Sequence, residues 1–164
     1  MTGSVMFSVK TVLKHGRGFV PLEDWQGKVA DSDYVAGALI LSLDGNIILD
    51  ESLCDDINWL WPLIVNGLPD LLDGKDTETG FPDQPITFSV KHVDREWLRL
   101  HVFCGEHDYA RKKIRKRDYL GEMTRAAIDF FTRFDSIAPR DYSAARYLPI
   151  LRGIADRLQS RAVR

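Results

Sequence analysis

The stretch from Val35 to Leu72 constrains the fold more than any other part of the chain. Val35, Ala36, Ala38, Leu39, Ile40, Leu41 and Leu43 form a nearly unbroken apolar run, and such a run bounded by turn residues reads as a strand covered on both faces, central in its sheet. Asp44-Gly45 comes next. Both residues tolerate the positive φ that a type I′ turn demands, so the pair predicts a two-residue hairpin whose return strand is Asn46 to Asp50.

Beyond it, Ile57, Leu60, Trp61, Ile64, Leu68, Leu71 and Leu72 recur at spacings of three, four and seven, which collects them as the buried face of a helix with Val65 at its edge. The same arithmetic gathers Asp55, Trp59, Leu63, Asn66, Asp70 and Asp73 on another side, with Asp56 at its margin. That stripe is expected to face solvent or a partner. Pro62, Gly67 and Pro69 predict a kink or two short helices, because an interior proline removes an amide donor and clashes with the preceding turn at a cost of about 3 kcal/mol. Asn58 is a candidate cap for a later helix start.

Elsewhere, Val5 to Leu13 alternates in part and predicts a first strand, closed by a turn at His15-Gly16-Arg17-Gly18. Residues 19 to 34 read as an irregular connection pinned by aromatics, and residues 74 to 85, rich in Gly, Asp, Thr and Pro, as a loop. Ile86, Phe88 and Val90, then Leu98, Leu100, Val102 and Cys104, alternate with polar residues and predict a second hairpin. Pairing Val90 with Leu100 and Phe88 with Val102 puts both apolar sets on one face, whereas a one-residue slip pairs Val90 with Arg99. In the favoured register His92 joins the apolar face and His101 the outer one, so the two cannot ligate one metal.

Ala110 to Arg117 is either a third strand of this meander or an extended linker. A second amphipathic helix is predicted from a cap at Asp118 to near Asp135, marked by Leu120, Met123, Ala127, Phe130, Phe131 and Phe134. After Ala138-Pro139, a last helix carries Tyr147, Leu148, Leu151, Ile154, Ala155 and Leu158, interrupted or started at Pro149, with residues 159–164 frayed. The order predicts a single α+β domain spanning the 164 residues, an antiparallel meander with hairpins packed by about three helices mainly on one side.

Neither composition nor motif points to chemistry. A formal net charge of −2 commits the chain to no nucleic acid, membrane or acidic ligand as a whole. Cys54 and Cys104 are too few for a disulfide framework and are expected to be buried thiols. The longest apolar runs are shorter than the roughly 20 residues that span a bilayer, and no signal-like start is present, so a soluble, cytoplasmic protein without membrane contact is predicted. Asp55-Asp56 point about 100° apart on a helix and need a third element to share a metal or substrate. Cys104, His107 and Asp108 lack the second ligand pair of a zinc site. No catalytic residue, metal or cofactor is expected.

The local charge distribution carries more information. In Arg111-Lys112-Lys113-Ile114-Arg115-Lys116-Arg117 every residue but Ile114 is basic. As a strand it would place Lys112, Ile114 and Lys116 on one face and Arg111, Lys113, Arg115 and Arg117 on the other. It reads either as a charge-protected edge or as a surface for phosphates. Residues 50 to 83 hold Asp50, Glu51, Asp55, Asp56, Asp70, Asp73, Asp76, Glu78 and Asp83 against the single base Lys75. The acids share the outer stripe with Trp59 and Leu63, and an exposed aromatic amid carboxylates suits an anchor with a charged rim. The competing reading has Trp59 folded back over its own chain or packed against the 19 to 34 connection. The size and layout resemble small bacterial α+β immunity proteins, which often present acidic surfaces to basic nucleases. That resemblance implies a non-catalytic protein-binding module with a basic partner. The alternative is a nucleic-acid- or phosphate-binding protein, or an enzyme, with its site near residues 111–117.

Overall fold

The computed structural model describes residues 5–138 and 141–162. Two antiparallel sheets form. The first has the order β2 (Gly18–Pro21), β1 (Phe7–His15), β3 (Ala36–Leu43), β4 (Asn46–Leu49), with the two-residue β5 (Asp55–Asp56) also paired to β3. The second is the meander β6 (Thr77–Gly80), β7 (Thr87–His92), β8 (Trp97–Cys104), β9 (His107–Arg115). The apolar run is thus central, flanked by β1, β4 and β5. Asp44 and Gly45 take φ of 50° and 82°, as the type I′ turn requires. The return strand stops at Leu49, with a register shift between Leu41 and Ser42.

In the meander Val90 pairs with Leu100, Phe88 with Val102 and His92 with Leu98, the register that keeps Arg99 out of the core. Three strands were not foreseen, one being the two-residue β5, whose acids were expected on the helix. β2 closes a hairpin on β1 where an irregular connection was expected. β6 occupies part of the 74 to 85 loop and packs beside α1 (Ile57–Leu72), where Gly67 leaves it room, since a Cβ there would stand 3.1 Å from Thr77 Cγ2.

α1 is one continuous helix through Pro62 and Pro69, so of the two expectations, a kink or two short helices, the second does not hold. Each proline costs about 3 kcal/mol. Burying Ile57, Leu60, Trp61, Ile64, Val65, Leu68, Leu71 and Leu72 is worth roughly 1.5–3 kcal/mol for each large side chain and outweighs that cost. The helix starts at Ile57, so Asn58 is not its cap.

α2 (Lys116–Ile137) begins two residues before Asp118, with Arg115 at the cap position and no side-chain cap bond, since a guanidinium has no acceptor, while Lys116 N–H donates to the Glu96 carbonyl at 2.8 Å. α3 (Ser143–Ala162) runs through Pro149 and remains helical over residues 159–162, where fraying was expected. Residues 163–164 and Pro139 lie outside the described residues.

The helices gather on one side. α2 packs on β1, α1 on β3 and β6, and α3 on α2 and α1. One core joins both sheets and all three helices, with Phe130 stacked against Phe134 at 5.0 Å and Trp61 at 6.0 Å. The Trp61 indole N–H donates to Thr11 Oγ1 at 3.0 Å, which satisfies its buried polar atom.

Candidate functional site

The outer side of α1 carries Trp59, 53% exposed, and Leu63, 43% exposed, followed by exposed Asn66 and Asp70. The buried Asn58 arranges what lies beside them. Its Oδ1 accepts from Val35 N–H at 3.0 Å, and its Nδ2 donates to the carbonyls of Asp33 and Ser32 at 2.9 and 3.3 Å. The Trp59 indole N–H donates to the same Asp33 carbonyl at 2.9 Å. Trp59 is therefore fixed against the 19 to 34 connection while its ring stays half exposed, a combination of the two readings of this residue. Tyr34, 68% exposed, stands one residue from the carbonyl that holds it. Trp59 and Leu63 are one turn apart on α1 and Tyr34 adjoins the carbonyl that holds the indole, so three exposed large side chains lie close in the fold, near Asp33 and Asp56.

Asp55 does not belong to that group. It lies in β5 opposite Gly37, is 7% exposed, and accepts from the amides of Asp56 at 2.6 Å, Asp83 at 3.1 Å and Gln84 at 3.2 Å. Its carboxylate shapes the 81 to 86 loop from within, and no partner can reach it as expected. Asp56 is half-buried at the rim. Burial first, then a hydrogen bond and the charge of Asp83, then the charge of Asp55, push its carboxyl up from 3.8 to about 6. Asp73 sits at the far end of α1 and is engaged by Arg157 at 2.6 Å, which holds its carboxyl below the ordinary range.

Asp83 supplies the third element that Asp55-Asp56 lacked. Oxygens of the three carboxylates lie within 4.8 Å of one another, the only such group of metal-ligating side chains among the described residues. An all-oxygen set suits a hard cation. The histidines do not converge: His92 Nδ1 is 3.1 Å from Asp76, and His101 Nε2 is 2.7 Å from Asp108. Cys54 and Cys104 are free and half-buried, more open than expected.

The basic run divides in two. Ile114 is buried and Lys112 half-buried, while Arg111, Lys113 and Arg115 project from the outer face of β9, an edge strand. Lys116 and Arg117 do not continue the strand, because α2 has begun. Register places Lys91, Arg99, His101, Trp97 and Phe103 on the same outer face as Arg111, Lys113 and Arg115. Lys113 and Arg115 each lie 4.7 Å from the Trp97 ring centre, and His101 stacks on Phe103 at 4.4 Å. Exposed pairs join Lys91 to Glu78 at 3.6 Å, Arg111 to Asp108 at 3.5 Å and Arg115 to Glu96 at 3.7 Å.

Sequence reasoning missed Tyr34, because the segment before β3 has no periodicity. It also missed the Trp97–Arg99–Phe103 row, although alternation against Leu98, Leu100 and Val102 already set Arg99 and Phe103 on the outer face. Among the described residues no helix is long and apolar enough to cross a membrane. Comparison with protein-family models, curated proteins and solved structures gives no match.

Proposed function

We propose that the chain is a non-catalytic protein-binding module that receives a basic partner on the Tyr34–Trp59–Leu63 strip. The carrying observation is the exposure of three large apolar side chains together, at 68, 53 and 43%, on a face that also bears Asp33, Asp56, Asp70 and Asp83. Single exposed apolar residues are ordinary, whereas an apolar strip with a polar rim is the anatomy of an interface. The indole is already held by Asp33, so Trp59 loses little freedom on binding. Burial and a hydrogen bond to Asp83 come first in raising Asp56, and the repulsion that adds to them is relieved when a cation approaches. An immunity- or antitoxin-like inhibitor of a basic toxin is the reading that the layout and this face support together.

With a purified partner, Trp59→Ala should speed dissociation by about tenfold or more, since a central aromatic anchor typically carries 2 kcal/mol or more. Asp70→Asn with Asp83→Asn should instead slow association and flatten its salt dependence, because rim charges act on encounter. Stopped-flow measurement separates the two. If both variants stay folded and bind like the parent, the strip is only a solvated surface.

A second reading rests on the outer face of the meander, where no helix packs among the described residues and rows of Lys and Arg alternate with Trp97, His101 and Phe103. Single-stranded nucleic acid binds sheets of this kind by stacking and phosphate contact. If it binds here, affinity for an oligonucleotide falls steeply with salt, and Arg99→Ser with Lys113→Ser flattens that slope. An oligonucleotide that fails to bind at low salt would remove this reading.

A further inference from the structure

A cleft of about 340 Å³ opens where the end of α1, the turn before β8, the junction of β9 with α2, and the last turn of α3 meet. It lies about 20 Å along α1 from Trp59, at the helix rise of 1.5 Å per residue. Five cations line it: Arg95, Arg115, Lys116, Arg117 and Arg161. The one carboxylate in the lining, Glu96, faces Arg115 at 3.7 Å. The remaining cations make no ion pair among the described residues, although the Asp73 carboxylate, itself held by Arg157 at 2.6 Å, lies near enough to act on Lys116 and Arg161. Leu72, Leu120 and Leu158 supply an apolar floor, the first two fully buried.

This arrangement is unfavourable when empty. Lys116 is half-buried, and its ammonium is held below the ordinary lysine value, first by burial and then by the charge of Arg161. Arg161 is itself drawn inward by the Leu72 carbonyl, at 3.5 Å from its Nη1. A half-buried ammonium beside the Arg161 guanidinium is a costly arrangement, and an anion seated between the two would offset that cost. The first turn of α2 opens here without a side-chain cap, which adds a further preference for negative charge.

We infer that this cleft binds a phosphomonoester carried on a small apolar or planar body, the phosphate held by Lys116, Arg161 and Arg117 and the body resting on Leu72, Leu120 and Leu158. A single point charge would leave most of the cations unmatched, whereas a dianion with three terminal oxygens engages several at once. The volume is that of a small-ligand site. The inference depends on neither the strip nor the sheet face, and only Arg115 borders both the cleft and the sheet.

Calorimetry at low salt with AMP, adenosine and inorganic phosphate tests it. AMP should saturate and raise the melting temperature, inorganic phosphate should bind more weakly, and adenosine should not bind. Lys116→Gln and Arg161→Gln should each weaken AMP by about tenfold or more, the scale of one charge-assisted hydrogen bond. Lys116→Gln should melt no lower than the parent without ligand, because it removes a desolvated charge, and Arg99→Ser should leave AMP affinity unchanged. No saturation by AMP, equal affinity for adenosine, or unchanged affinity in both cleft variants would overturn the assignment.

Discussion

Asp55 and Asp56 are neighbours in the chain and opposites in environment. Asp55 is buried yet matched by three backbone amides, two of them from the loop at Asp83-Gln84. Asp56 is more open yet opposed by Asp83. The sequence shows two acids before a helix, and nothing local distinguishes them, because the Asp83 and Gln84 amides that donate to Asp55 and the Asp83 carboxylate that meets Asp56 arrive from 27 or more residues away. A folded-state carboxyl raised from 3.8 to about 6 means that the folded protein binds its proton more tightly than the unfolded chain. The contribution to stability is therefore fully present below 3.8 and is lost as pH rises through about 6. Asp56→Asn should raise the melting temperature above pH 7 while leaving it near the parent's at pH 4, roughly the ordinary carboxyl value. Melting curves across that range check this. Parallel curves for parent and variant would show that burial and Asp83 do not raise the Asp56 carboxyl.

At the scale of elements, periodicity succeeded wherever one face is buried and the other is not. The β7–β8 register was legible because a slip of one residue would carry Arg99 inward, and α2 was legible from its Phe and Leu spacing. β6, Thr-Glu-Thr-Gly, carries no such contrast, and it forms because a glycine on α1 admits Thr77. Pro62 and Pro69 misled for a related reason: propensity is local, while the burial that overrides it comes from the assembled core. Phe130→Ala tests the centre of that core. Phe130 is fully buried among Trp61, Phe131 and Phe134, so the variant should lose about 3–5 kcal/mol by chemical denaturation. An unchanged midpoint would contradict the packing of α2 on α1.

Across the whole molecule, a chain with a net charge of −2 separates its charges onto different surfaces: carboxylates around Tyr34 and Trp59, cations on the open face of the meander and in the cleft at the start of α2. Clustering along the chain made that separation legible as composition. The sequence did not reveal which members reach the surface, because Asp55 turns inward and the basic run is cut by the strand-to-helix junction. Nor was strand order legible, since β1 inserts between β2 and β3 through pairings that alternation alone does not specify. The most direct measurement of the central claim is capture from a lysate of the source cells with three folded baits: the parent, Tyr34→Ala with Trp59→Ala, and Arg99→Ser with Lys113→Ser. The predicted result is a basic protein retained by the parent and the Arg99/Lys113 variant and lost from the Tyr34/Trp59 variant. Retention by the Tyr34/Trp59 variant, or loss confined to the Arg99/Lys113 variant, would contradict it.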